Sequence, residues 1–217
     1  MALSKESIKK IYTRTLAVHY DQKIAASFEM WRAAAVGASR LGRGNRVIVF
    51  CCGTGHDFPH LIDKIGEEGE IVGMDFSPQM LAGARARIDQ QGWRNIRLIE
   101  ADATLFANTG NDLFDAGLCT LGISIIPEYR QAYDNLCSFV RPGGEIIIGD
   151  LQLAHGWRSI FNPLIIRLAR EYGGSFRGHR NSSRLFAAMQ EELSDIRSGE
   201  FYHRSYKYVV GKKQSTA

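Results

Sequence analysis

Two glycines and an acid have the residue types and spacing for ligand chemistry. Gly53 and Gly55 lie in the stretch Val47 to Phe58, V-I-V-F-C-C-G-T-G-H-D-F, where β-forming residues run without a break into small ones ahead of a helix-compatible segment. A buried parallel strand turns into a helix N-terminus in this way. Glycines there let the backbone curl tightly and approach a ligand, while the open N–H groups and dipole of the next helix favour a carboxylate or phosphate. Asp75 closes a second apolar run, Ile71-Val72-Gly73-Met74, twenty residues beyond Gly55. An acid at that spacing, at the end of a neighbouring strand, is placed to accept hydrogen bonds from both hydroxyls of a ribose. The combination predicts a nucleoside cofactor.

A dinucleotide fingerprint requires a third glycine three residues after the second, for close helix packing beside a pyrophosphate. Phe58 stands at that position, so NAD is disfavoured. F-C-C-G-T-G followed by V-G-M-D-F-S-P-Q-M-L resembles motif I and the acidic post-motif of class I S-adenosylmethionine-dependent methyltransferases. Within that class the chain is most similar to the branch of ubiquinone/menaquinone C-methyltransferases and small-molecule methyltransferases. The likeness runs from about Tyr12 to Lys212. It is specific for cofactor and fold and unspecific for substrate.

The resemblance implies S-adenosyl-L-methionine as cofactor and assigns site residues by motif. Cys51, Gly53 and Gly55 would border the methionine part, Asp75 would hold the ribose, Phe76 would lie against the adenine face, and Met80 is a further cofactor-binding residue. Glu100-Ala101-Asp102-Ala103 is similar to the motif whose acid accepts from the adenine amino group, so Asp102 and the Ala103 N–H are expected there; an ordinary helix cap is the plainer reading of Asp102. Thr120-Leu121-Gly122-Ile123-Ser124 would pass beside the sulfonium, with Thr120 toward the cofactor and Ser124 toward the acceptor. Two positions depart from the pattern. Val49 stands where motif I commonly has an acid, so the methionine ammonium needs another acceptor, and Cys51 stands where a glycine is common. A protein of the same fold that binds the cofactor without transferring methyl, in a cyclase-like or binding role, is therefore the competing reading.

Methyl transfer is an in-line displacement and needs the nucleophile held about 3 Å from the methyl carbon. An oxygen or phenol-carbon acceptor also needs a base. His155, on a loop after the fifth strand, is the candidate base, and an exposed loop histidine is the alternative. His56 follows Gly55 and reads as structural or cofactor-contacting. Arg177 and Arg180, with His179 and Arg184, have the guanidinium chemistry to receive an anionic substrate group, against a plain solvated basic face. Tyr12 and Tyr20 are expected to close over the substrate or to pack on the core. Tyr202 and His203 would line a far wall or belong to the terminal hairpin.

The elements that must position these groups follow from periodicity. An amphipathic leader helix covers Lys5 to about His19 and ends at His19-Tyr20-Asp21, and a second helix runs from Ile24 to about Leu41. Strands are expected near 46–51, 70–75, 95–100, 114–120 and 144–151, with helices near 56–66, 77–91 and 128–140. This alternation means an α/β Rossmann-like three-layer sandwich with a parallel sheet. An apolar stripe from Trp157 to Tyr172 predicts a further helix, Gly173 to Asn181 a loop, and Ser183 to Glu192 a short helix. Strands near 196–201 and 206–211 form a C-terminal hairpin. The resemblance implies seven strands, one of them antiparallel. The whole chain, 1–217, reads as one domain: residues 1–42 a helical lid, 46–151 the cofactor-binding core, 152–217 the acceptor side.

The chain has 217 residues, 45% hydrophobic, with a formal charge of +4, enough for one sizeable core. Its basic residues read as spread through the chain, and no N/D-P-P-Y/F motif is present, so a nucleic-acid partner is not expected. Residues 1–10 lack an apolar signal stretch and no apolar run reaches about 18 residues, which predicts a cytoplasmic protein without a transmembrane segment, leaving peripheral membrane contact open. Cys51, Cys52, Cys119 and Cys137 lie in apolar elements without C-x-x-C spacing and are expected to be reduced, with no metal site. The partner is a small molecule, apolar or anionic, and the sequence carries no oligomer signal.

Overall fold

The computed structural model describes residues 5–14, 28–110, 112–154, 156–170, 173–201 and 204–214. Its frame is a seven-stranded sheet in the order β3-β2-β1-β4-β5-β7-β6. The strands are β1 Arg46–Phe50, β2 Glu70–Asp75, β3 Ile96–Glu100, β4 Phe114–Thr120, β5 Val140–Leu151, β6 Leu193–Phe201 and β7 Tyr206–Lys213. The first five are parallel where they pair, and β7 runs antiparallel to both β5 and β6. One reversed strand in a C-terminal hairpin is what the resemblance implied. Strand order reverses between β1 and β4, the switch point outside whose carboxyl ends open α/β sheets bind ligands.

Successive side chains of a strand face opposite sides, and β1 shows why both sides of the sheet are dry. Ile48 and Phe50 enter one apolar cluster with Tyr133, Leu136, Ile146 and Phe186, while Val47 and Val49 enter another with Phe58, Leu61, Ile65 and Leu118. The helices α1 Lys5–Arg14, α2 Glu29–Gly37, α3 Phe58–Ile65, α4 Pro78–Gln91, α5 Tyr129–Ser138, α6 Asn162–Ala169 and α7 Phe176–Glu192 complete the layers. α4 starts where Ser77 accepts the Met80 N–H and Pro78, having no N–H, needs no acceptor, and it stops at Gly92, at φ 71°.

The segment after β5 differs from its sequence reading in two places. The expected loop Gly173 to Asn181 is helical from Phe176, because Ser175 caps the helix by accepting the Gly178 N–H at 3.0 Å. Residues such as Gly178, Asn181, Ser182 and Ser183 favour caps and turns over helix interiors, which hid the helix. A Cβ on Gly178 would fall 1.9 Å from the Ser124 carbonyl oxygen, so the glycine is what lets α7 dock there. The stripe from Trp157 is not one helix: a 3-10 turn, Gly156–Phe161, leads into α6 with Pro163 in its first turn. His19, Tyr20 and Asp21, together with His155, Tyr202 and His203, lie outside the described residues.

Candidate functional site

β1 ends in a tight loop. Cys51, Gly53 and Gly55 all take positive φ, at 54°, 54° and 80°. Glycine adopts this backbone without strain, and Cys51 does so against it. Its side chain lodges in room left by Gly122, where a Cβ would fall 2.8 Å from Cys51 Cβ and 3.0 Å from Cys119 Sγ. A hydrogen bond with Cys119, then burial, holds the Cys51 thiol well above its ordinary range, and burial does the same for Cys52. Both are protonated thiols at neutral pH, and all four cysteines are free. Gly55 faces inward: a Cβ there would meet the Phe58 ring at 2.6 Å. The aromatic ring at the third-glycine position thus fills the space beneath the loop.

Asp75, at the end of β2, is 5% exposed. One carboxylate oxygen accepts the Gly53 N–H at 2.9 Å and the other the Ser77 N–H at 3.0 Å. Burial nevertheless pushes its carboxyl up to about 6, against the downward pull of the Ser77, Gly53 and Phe76 N–H groups. Such a carboxylate gains from any further donor. Asp102, just past β3, accepts from the Thr104 N–H at 2.8 Å and the Thr104 hydroxyl at 2.7 Å, a local turn that fixes the direction of the carboxylate.

These groups line one cavity of about 480 Å³ over the strand ends. Cys51, Gly53, Asp75, Phe76, Met80, Asp102, Ala103 and Thr120 all border it, as does Tyr12 of α1, whose ring meets Phe76 edge to face at 6.1 Å. Gly55 does not border it. Leu121, Gly122, Ile125, Ile126, Pro127 and Ile8 form an apolar wall.

A buried polar cluster beneath this cavity was invisible in the sequence. Arg32 of α2, 4% exposed, borders the cavity and donates to the Thr120 hydroxyl at 3.0 Å. Thr120 in turn donates to Asp57 Oδ2 at 2.7 Å, and Arg32 Nη1 lies 3.5 Å from the same oxygen. Asp57 is 2% exposed, and its Oδ1 is buried without a hydrogen-bond partner among the described residues. Asp57 stands at the N-cap of α3, and the only sequence signal was an acid two residues past Gly55. Val49, where motif I would have its acid, is fully buried among apolar side chains.

The expected acceptor-side residues scatter. Ser124 is committed to structure: its N–H and hydroxyl donate to the buried Asp150 at 2.6 and 2.9 Å, tying the turn after β4 to the end of β5. Arg177 borders a small hollow beside the main cavity, and Arg180 is exposed on α7. His179 is 3% exposed with Nδ1 at 3.1 Å from the Leu151 carbonyl oxygen, so it does not join the arginines as an anion site. His56 borders the cavity and lies 2.9 Å from Arg87. Among the described residues no cluster of His, Cys, Asp or Glu is arranged to hold a metal.

Comparisons with known proteins agree with this geometry. Residues 1–156 match the sequence profile of the ubiE/COQ5 methyltransferase family. A demethylmenaquinone methyltransferase of Listeria monocytogenes is 24% identical over 212 residues, covering 94% of this chain and 89% of that protein. Among solved structures, a phosphoethanolamine N-methyltransferase of Haemonchus contortus in complex with phosphomonomethylethanolamine and S-adenosylhomocysteine superposes with a TM-score of 0.73 at 13% identity, over 96% of this chain and 60% of that one. A SAM-dependent methyltransferase of Aquifex aeolicus gives 0.62 at 14% identity, over 96% and 98%. At such identities these structures speak for the fold.

Proposed function

The chain belongs to the ubiE/COQ5 methyltransferase family, and from that premise we propose that it methylates an apolar, quinol-type small molecule held against the wall formed by Leu121, Ile125, Ile126 and Pro127. It is an S-adenosylmethionine-dependent methyltransferase, and its acceptor is a small molecule. The observation that carries the acceptor class is that wall, continued by Ile8 and Tyr12 of α1 and apolar beside a polar cofactor end. The Listeria relative named for demethylmenaquinone supports the same class. Ile8 and Tyr12 also support the reading of residues 1–42 as a lid.

The cavity fits the cofactor in size, since ligand pockets run from about 300 to 1,000 Å³. It fits in chemistry too. Asp75 accepts from the ribose hydroxyls, Phe76 and Met80 flank the adenine, and Asp102 accepts from its amino group. Gly53 offers backbone to the methionine end, and the Arg32 fork, braced by Thr120 and Asp57, receives its carboxylate. When bound, the cofactor supplies an electrophilic methyl group on a sulfonium. The chain's own contribution is to exclude water with the apolar wall and to hold the acceptor in line, since proximity and orientation can remove about 7–11 kcal/mol of a barrier. A buried Asp57 close to the methionine end also offsets cationic charge there, a task Val49 cannot perform.

The test is product analysis with S-adenosylmethionine and either a short-chain demethylnaphthoquinol or phosphoethanolamine. The expected result is a quinol in which one methyl group has replaced a hydrogen, released as a proton, with equimolar S-adenosylhomocysteine. Transfer to phosphoethanolamine alone would overturn the acceptor class.

A further inference from the structure

The charge of this chain is concentrated. Between Leu151 and Gln190 there are six arginines, no lysine and one glutamate, an excess of five positive charges, whereas the whole chain carries +4 and its remainder therefore balances to −1. The reading of basic residues as spread through the chain does not hold for this segment. Arg167, Arg170, Arg177, Arg180 and Arg184 are all exposed. The same segment holds five of the eight large apolar side chains exposed among the described residues: Trp157 at 71%, Ile160 at 70%, Leu164 at 56%, Phe161 at 48% and Phe176 at 42%.

The first four are spaced i, i+3, i+4 and i+7 through the 3-10 turn and α6, so they share one face. Trp157 and Phe161 meet edge to face at 6.4 Å. Among the described residues the substantial contacts of α6 are with the turn that precedes it. Its position is fixed, however. Asn162 exchanges two hydrogen bonds of 3.0 Å with the Ala154 backbone, holding the start of α6 to the carboxyl end of β5, the edge of the sheet where the cavity opens. Arg177 borders a hollow that shares Ile8, Ile125, Ile126 and Pro127 with the main cavity.

We propose that the turn Gly156–Phe161 with α6 and the arginines of α7 form a docking surface for an anionic lipid bilayer, which presents the acceptor to the cavity. Aromatic and aliphatic side chains seat at the boundary between headgroups and acyl chains while arginines meet the lipid phosphates. A nucleic acid would use the arginines but leave the apolar face wet, and a second copy of this chain would bring its own like charge to the contact. Attachment is peripheral, since among the described residues no helix is long and apolar enough to cross a membrane.

This inference rests on the apolar acceptor proposed above, and its test separates the two. The full chain is sedimented with vesicles of phosphatidylcholine alone or with phosphatidylglycerol, at low and high salt. The expected result is at least tenfold tighter partitioning to the phosphatidylglycerol vesicles, lost at high salt. A Trp157→Ser, Ile160→Ser double variant should lose at least tenfold in partitioning while titrating with S-adenosylhomocysteine and methylating a water-soluble quinol as the parent does. Unaltered partitioning by the variant would overturn the surface. So would an apolar face buried in a dimer by sedimentation velocity, or retention by RNA in preference to vesicles. Loss of quinol methylation in the parent with vesicle binding intact would instead sink the acceptor reading.

Discussion

The two ends of the site are built on opposite principles. On the cofactor side, β1, β2 and β4 end in polar groups already bonded to each other: Asp75 to the Gly53 and Ser77 N–H groups, the Thr120 hydroxyl to Asp57. On the acceptor side, the segment after β5 leaves aromatic rings and guanidiniums at the surface: α6 is tied down through Asn162 on Ala154, and α7 buries one face, with Gly178 on Ser124, while its arginines stay outside. One cofactor demands a prebuilt, desolvated cradle, since preorganisation is what gives buried polar groups their value. A variable acceptor asks only for an apolar wall and a route to it.

The contrast breaks most sharply at Gly178. An alanine there would drive its Cβ to 1.9 Å from the Ser124 carbonyl oxygen, so Gly178→Ala should lose about 3 kcal/mol or more of stability as α7 is displaced. Denaturant unfolding checks this, and a loss below about 1 kcal/mol would mean that α7 is not anchored as described. Next in size, Arg32→Lys keeps a charge beside Asp57 but loses the planar fork. S-adenosylhomocysteine should bind about tenfold more weakly, the worth of one charge-assisted hydrogen bond, while 5′-methylthioadenosine, which lacks the amino-acid group, binds as before. Equal losses for both ligands would remove Arg32 from the methionine end.

The smallest effect per step is with pH. The Asp75 carboxyl sits at about 6, above its ordinary 3.8, so the unfolded chain ionises first as pH rises. Folding stability therefore falls between about pH 4 and pH 6, by about 3 kcal/mol in all, and is level above that. The ribose hydroxyls favour the ionised form, so cofactor affinity moves the other way, rising up to tenfold per pH unit toward about 6 and flattening beyond it. Calorimetry from pH 5 to 8 reads this directly, and an affinity flat across the range would remove Asp75 from the ribose.

Much of the cofactor side was legible because its signals are local. A strand that runs into Gly53 and Gly55, and an acid closing the next strand, depend on residues close in sequence, and Ser77-Pro78 announces its own helix. Arg32 and Asp57 were not legible: they are 25 residues apart, meet only once α2 packs beside α3, and each alone reads as an ordinary surface charge. The room for the Cys51 side chain is left by Gly122, a residue just past the end of another strand. On the acceptor side the caps and turn-formers of α7 outweighed helical period, and the apolar stripe from Trp157 had the spacing of a buried helix although its face is open. Period gives a face, and burial depends on what the rest of the chain places over it.

The central claim is that the cradle over β1, β2 and β4 is a working cofactor site with Asp75 at its centre. Calorimetric titration of S-adenosylhomocysteine into the parent protein and Asp75→Ala tests it most directly. The account predicts micromolar binding by the parent and a loss of roughly 100-fold or more in the variant, two charge-assisted hydrogen bonds at about 1.5 kcal/mol each. Equal affinity in a variant that unfolds like the parent would contradict it.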